Sequence, residues 1–285
     1  MKIRFFSSFC DASGISAIYK RLHRLESKDY EFTNEEDYTH AVILNIAMPA
    51  LSIPKEHVIG LAFEPPQYLG LTTEFLEYAK LHIGTYYIGE LHGLPPPFTE
   101  GFGCLWHTTP PQRSEIPKHD KFMSLMISDK ISAPGHKYRH ILAMAILATD
   151  LPIDIYGRGC RYYKEVDQRI KGEFNDIEPY VGYKYHIAIE NFQTPHYFSE
   201  KVINPLLYEC QPVYLGCHNI IDYFDDMVIR LSGDLERDMT MIKMLSQTAK
   251  TIEIDNGDVL KIVSFERVIA GFRARTAVLS KTRRI

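Results

Sequence analysis

Asn191, Tyr197, Glu200 and Lys201 are the side chains of this sequence whose types and spacing could do chemistry together. They lie within Tyr185 to Gly216, YHIAIENFQTPHYFSEKVINPLLYECQPVYLG, which reads as a buried strand, a polar loop, an apolar helix and a second buried strand. All four fall just past the first strand, where an open parallel sheet presents its ligands. A helix starting near Phe198 or Ser199 would point its positive end and free amides into that crevice. A phosphate suits such a place, with Lys201 as counter-charge and Glu200 free to accept from ribose hydroxyls. The outline is that of a nucleotide site; the plain alternative is an ordinary βαβ unit with a surface Glu–Lys pair.

Two further residues stand out. Glu64 closes the apolar run Val58 to Phe63 and is followed by Pro65-Pro66, which stops strand pairing and leaves a carboxylate at the strand end. Facing an interdomain cleft it would be partly desolvated, with its pKa raised toward the range of a general base; otherwise it is a solvated loop glutamate. Arg139 stands near a helix start and, taken alone, reads as a solvated helix arginine. The 12 histidines form no HxH or HExxH pattern, and most of them read as surface or loop residues. Neither Asp225-Asp226 nor Asp255 with Asp258 has DxD spacing. No metal site is expected, since Arg139 and Lys201 could balance phosphate charge, and no cofactor.

The elements that would position these residues alternate along the chain. Strands are expected at Lys2 to Phe6, His40 to Ile46, Val58 to Phe63, Thr85 to Ile88, Lys121 to Ile127, Ile153 to Tyr156, Tyr185 to Ile189, Pro212 to Leu215 and Val228 to Leu231. Helices are expected at Ile15 to Leu25, Tyr68 to Leu81, His136 to Thr149, Leu235 to Lys250 and Asp258 to Leu279. Gly93 to His119, with Pro95-Pro96-Pro97 inside it, reads as loop and as the approach to an interdomain connection. This gives an α/β fold of two Rossmann-like domains facing a cleft, split as 1–115 and 116–285, the second including the C-terminal helices.

With 285 residues, 45% of them apolar and 24% charged, the chain suits two ordinary globular domains. A net charge of −4 argues against a nucleic-acid binder. Five cysteines without CxxC spacing suit a reducing compartment. The opening MKIRFFSSF is too short for a signal peptide, and no run approaches the ~18 apolar residues of a membrane span, so a soluble, cytoplasmic protein is expected. Arg267, Arg273, Arg275, Lys281, Arg283 and Arg284 near the C-terminus could touch an anionic membrane surface, or form the solvated face of a packed helix.

The segment first described resembles the donor-binding motif of the alpha-1,3-fucosyltransferases, glycosyltransferase family 10. That motif runs close to F-x-L-x-F-E-N-S, a few variable residues, then Y-x-T-E-K. Glu190-Asn191, Tyr197 and Glu200-Lys201 match it, with Ser199 where the family often has Thr. Pro212 to Gly216 matches the family's P-V-Y-L-G, and Asn219 to Phe224 is similar to its N-I-x-D-Y/F-x continuation. Upstream, Ser128 to Arg139 resembles its S-N segment followed by an arginine, with Asp129 in place of Asn, and Ile153 to Arg158 its V-D-V-Y-G-R. The resemblance implies a GT-B, inverting, metal-independent transferase. Its donor site would use Arg139, Gly157, Asn191, Tyr197, Ser199, Glu200 and Lys201, and Glu64 would be general base on a glycan acceptor. GDP-fucose is the implied donor. Because phosphate and ribose contacts are shared among sugar nucleotides, and Phe192 to His196 departs from the family pattern, a donor such as UDP-xylose stays open. So does a non-catalytic sugar-nucleotide-binding module on the same fold.

Overall fold

The structure is a computed structural model. It describes residues 1–163, 167–248 and 252–282, with the side chains of 275–282 excepted. Two compact units emerge. The first holds Met1–Trp106, Thr194–Tyr197 and Val263–Ile285; the second holds His107–Gln193 and Phe198–Ile262.

The first unit carries β1 (Lys2–Ser7), β2 (Glu31–Phe32), β3 (His40–Leu44), β4 (Val58–Leu61), β5 (Thr85–Ile88) and β6 (Phe98–Glu100). They form one sheet in the order β2-β1-β3-β4-β5-β6, every pair parallel. All residues of β3 and β4 are buried, as expected of strands covered on both faces. Helix α1 (Ile15–Leu22) buries Ile15, Tyr19 and Leu22 at helical spacing.

Two expectations break in this unit. The stretch Tyr68 to Leu81 divides into α2 (Pro66–Leu69) and α3 (Thr73–His82). Gly70 enters the left-handed region at φ 66°, ending α2, and Thr72 caps α3 by accepting from the Phe75 amide. The Pro-rich run expected to be loop contains β6, which pairs with β5 at the sheet edge. Pro96 and Pro97 precede it, so the strand itself keeps its donors.

The second unit carries β7 (Lys121–Met126), α4 (Pro134–Leu147), β8 (Ile153–Tyr156), β9 (Ile170–Gly172), β10 (Tyr183–Ile189), α5 (Glu200–Leu207), β11 (Gln211–Leu215), α6 (Ile221–Phe224), β12 (Ile229–Arg230), α7 (Leu235–Ser246) and α8 (Asn256–Ile262). Its sheet runs β12-β11-β10-β7-β8-β9, again wholly parallel. Met123, Leu125, Ile155, Ile187 and Val213 fill its core together with Leu142, Ala143 and Ile146 of α4. Arg169 closes the far end of α4, donating to the carbonyls of Ile146, Leu147, Thr149 and Leu151.

The domain boundaries need correction. The chain passes from the first unit to the second at Trp106/His107, earlier than 115/116, and the last helix returns to the first unit. The long helix expected from Asp258 is interrupted between α8 and α9 (Glu266–Thr282), where Ser264 Oγ accepts from the Glu266 amide. Phe265 explains the return: it is fully buried against Phe5, Tyr19 and Phe32 of the first unit. The helix expected to reach Lys250 ends at Ser246; Lys250 itself lies outside the described residues. Among the described residues, no helix is long and apolar enough to cross a membrane.

Candidate functional site

The order of the second sheet fixes where a ligand can sit. β8 and β9 lie on one side of β7, and β10, β11 and β12 on the other. The direction of winding therefore reverses between β7 and β10, and open α/β sheets bind ligands outside the carboxyl ends of the strands at such a point. The loop from Glu190 to Ser199 and the start of α4 meet there. The Gly135 amide donates to the Asn191 carbonyl at 3.0 Å. A Cβ on Gly135 would lie 1.8 Å from the Glu190 carbonyl oxygen, so only glycine lets helix and strand end approach this closely. Gly157, at the end of β8, has φ 108° and faces the Ile127 carbonyl in the same manner, 2.1 Å from where a Cβ would stand.

A charged cluster occupies this point. The Glu190 side chain is fully buried, and its Oε1 accepts from both the amide and the hydroxyl of Ser199 at 2.9 Å. Lys201 Nζ lies 3.4 Å from Glu190 Oε2 and 3.1 Å from Glu200 Oε1, and also donates to Ser199 Oγ at 3.0 Å. Arg139 is buried; its Nε donates to the Ile189 carbonyl at 3.0 Å, joined by Nη2, which also donates to Asn191 Oδ1 at 3.0 Å. Burial works against the charge on Lys201, but the carboxylates of Glu200 and Glu190 outweigh it and hold the ammonium above its ordinary pKa. Burial likewise opposes the Glu200 carboxylate, yet Lys201 prevails and its pKa falls. Lys201 and its two carboxylates are thus locked together at one strand end, with Arg139 held beside them on Ile189 and Asn191.

Arg139, Asn191, Ser199, Glu200 and Lys201 are brought together, and Gly157 stands at the same carboxyl edge of the sheet, two strands from β10. The details differ from the sequence reading in three ways. The amide of Ser199, the N-cap of α5, points at Glu190 rather than standing free. Lys201 already has two carboxylate partners, so its charge is shared. Arg139 spends three bonds bracing Ile189 and Asn191, which makes it a buried organiser of the strand end.

Tyr197 is buried and belongs with the first unit, its Cβ 3.3 Å from where a Gly89 side chain would start. In the same short segment Thr194 Oγ1 donates to Glu90 at 3.2 Å. Glu64 lies half-buried in the first unit, three residues past β4, in a turn where the Phe63 amide is held by Asn45 Oδ1 at 2.8 Å.

Some of the histidines depart from the majority. His107, His136 and His186 are buried, and His140 bonds to the Ser128 carbonyl and the Tyr163 hydroxyl. Sequence reasoning gave no role to two residues of the cluster, Glu190 and His136. Glu190 was legible only as half of the Glu190-Asn191 pair, and His136 carried no spacing signal. Among the described residues, no three His, Cys, Asp or Glu side chains are grouped as a metal ion would require.

Of the six basic residues near the C-terminus, Arg267 donates to the Phe102 carbonyl and covers that residue's ring at 3.5 Å, and Arg273 pairs with Asp29 at 3.0 Å. Both are held by their own unit. The side chains of Arg275, Lys281, Arg283 and Arg284 lie outside the described residues.

Comparison with known proteins converges on the same segment. Residues 116–227 match the family model described as glycosyltransferase family 10 (fucosyltransferase) C-term. Over 79 residues, 26% of this chain, the sequence is 33% identical to "Putative fucosyltransferase R654" of Acanthamoeba polyphaga mimivirus, and spans 13% of that protein's length. Among solved structures, an alpha1,3-fucosyltransferase with GDP-fucose is similar at a TM-score of 0.56 and 11% identity, over 96% of this chain and 90% of that one. The same kind of enzyme with GDP gives 0.55 at 12% identity, over 96% and 89%. The structural likeness shows the fold, two Rossmann-like α/β units of the GT-B type. Residues 116–227 carry the likeness to glycosyltransferase family 10.

Proposed function

We propose that this chain is an inverting glycosyltransferase that moves fucose from GDP-fucose to a hydroxyl of a glycan acceptor, without a metal ion. The observation that carries this is the buried cluster of Arg139, Glu190, Asn191 and Lys201 at the switch point of the second sheet, inside the family 10 segment. Donor specificity for guanine nucleotide is supported by the solved relatives of the same fold, which hold GDP-fucose or GDP.

Glu200 is 41% exposed at its side chain, whereas Glu190 is fully buried. A diphosphate arriving at Lys201 would displace Glu200 and leave Glu190 in place. Glu200, once released, can accept from ribose hydroxyls. Lys201 then stabilises the charge that grows on the departing nucleotide, supported by N–H donors fixed by Arg139. Glu64 takes the proton as the acceptor hydroxyl attacks the anomeric carbon opposite the leaving group. The reading places the enzyme in the cytoplasm, where its five free cysteines stay reduced.

The test is a donor screen with detection of sugar transfer, paired with titration of GDP and UDP. GDP-fucose should support transfer, and Glu64→Gln should abolish transfer while leaving GDP affinity intact. Tighter binding of UDP would transfer the assignment to a donor such as UDP-xylose. Binding without turnover by the intact chain, with every donor and acceptor offered, would make it a sugar-nucleotide-binding module.

A further inference from the structure

The first sheet has a switch point of its own. β2 lies on one side of β1 and β3 to β6 on the other, so the winding reverses between β1 and β3. The carboxyl ends of the strands are where such a sheet meets a ligand. Phe9, two residues past β1, stands there 51% exposed. Its ring lies 5.5 Å from that of Phe63, two residues past β4, at an interplanar angle of 48°. Met48 and Tyr68, on the segments that follow β3 and β4, are also well exposed at this edge. Hydrogen bonds fix the backbone around the two rings. The amides of Phe9 and Cys10 both donate to Ser7 Oγ at 3.2 Å. Ser8 Oγ accepts from the Ile46 amide at 3.3 Å, tying the loop after β1 to the loop after β3. The Phe63 amide is held by Asn45, whose own amide donates to the Leu61 carbonyl at 3.0 Å and whose carbonyl accepts from the buried Tyr86 hydroxyl at 2.9 Å. Three strand ends are thus cross-tied, and the rings they carry are in place before a ligand arrives.

We propose that Phe9, together with Phe63, is the platform on which a pyranose ring of the acceptor glycan lies. The face of a phenyl ring carries negative charge density. A pyranose can turn towards it a face of C–H groups, made positive by the neighbouring oxygens, while its hydroxyls point outward to water or to polar side chains. Glu64 directly follows Phe63, so a hydroxyl offered to that carboxylate belongs to a molecule beside the Phe63 ring. Ser8 and Asp11, exposed on the Phe9 loop, give the rings a polar rim. An apolar surface bordered by a few polar groups is the lining required by a sugar, which is apolar on its face and polar at its edge. The inference rests on the proposed reading of a glycan acceptor with Glu64 as its base, and adds the residue that grips the sugar.

The experiment is saturation-transfer NMR on the full chain and its Phe9→Ala and Phe9→Tyr forms, with GDP titration and thermal unfolding of each as controls. The probes are cellobiose, lactose, maltose and chitobiose. Phe9 is half exposed, so both forms should fold as the parent does. Saturation should reach the C–H protons on one face of a sugar ring in the parent and in Phe9→Tyr. In Phe9→Ala it should be lost, as affinity for the sugar falls about tenfold. With GDP-fucose as donor, Phe9→Ala should raise the acceptor KM by a similar factor and leave the GDP-fucose KM unchanged. Equal saturation in all three forms would overturn the inference, as would a parent chain that saturates none of the four sugars. If no form binds GDP while sugar contact is still lost only in Phe9→Ala, the nucleotide-sugar reading fails and the platform stands. Self-association of the parent that Phe9→Ala abolishes, without sugar contact, would make the rings an interface between copies and so refute the proposal.

Discussion

Glu190→Gln isolates what the buried carboxylate contributes, because it keeps the side chain's shape and removes its charge. The Ser199 amide would still find an oxygen, but the bond falls from charge-assisted to neutral, a loss of about 1 kcal/mol. Lys201, only 22% exposed at its side chain, would keep Glu200 as its sole carboxylate. Removing one partner of a buried pair costs about 3–5 kcal/mol when nothing replaces it, and the remaining contact to Glu200 offsets part of that, leaving ~2 kcal/mol. The sum is about 3 kcal/mol. At roughly 2–4 °C per kcal/mol for chains approaching this size, the melting of the second unit should fall by roughly 6–12 °C. Differential scanning calorimetry of the ligand-free protein reads this directly. Because the carboxylate is fully enclosed by Ser199 and Lys201, GDP affinity measured where both forms are folded should not decrease. A melting temperature within about a degree of the parent, accompanied by lost GDP binding, would refute the reasoning and make Glu190 a ligand contact.

Two other outcomes follow from the same packing. Gly135→Ala places a methyl group 1.8 Å from the Glu190 carbonyl, so α4 must retreat from β10; a loss of about 3 kcal/mol in urea unfolding is expected together with weaker GDP binding. Gly14→Ala, at φ −86° with nothing within 4 Å, should change neither. Acid should destabilise both units, since burial, aided in the first case by the charges of His57 and the N-terminus, pushes His40 down to about 4, and burial pushes His186 down to about 3. Folded values below the ordinary 6.5 mean that the unfolded chain takes up protons first. This share of stability is therefore complete above that pH and lost as pH falls toward the folded values, at up to ~1.4 kcal/mol per pH unit per histidine. His40→Asn should flatten the urea-midpoint profile between about pH 6.5 and 4; an unchanged slope would show that the ring protonates freely in the folded state.

The sequence by itself determined most of the strands, their alternation with helices and the segment that carries the candidate site. Thr85–Ile88 and Ile153–Tyr156 stand where the sequence reading put them, with Tyr86 and Ile88 buried in the first and Ile153, Ile155 and Tyr156 in the second. β2 and β9, two and three residues long, left no pattern to read. Asn191, Ser199, Glu200 and Lys201 could be named because a strand followed by a helix carries its functional residues in the loop between them. What the tertiary structure alone decided is how those residues are paired. Glu190 faces Lys201 and Ser199, Arg139 reaches across from α4 to hold Asn191, and His136 turns inward beside them. The return of Val263 onward to the first unit belongs to the same class, settled by Phe265 meeting Phe5 and Tyr19. Local periodicity specifies which face of an element is buried, but its partner across the core is chosen by packing between distant segments. At a strand end shared by three elements, that choice decides which charges are bound to one another and which can meet a ligand.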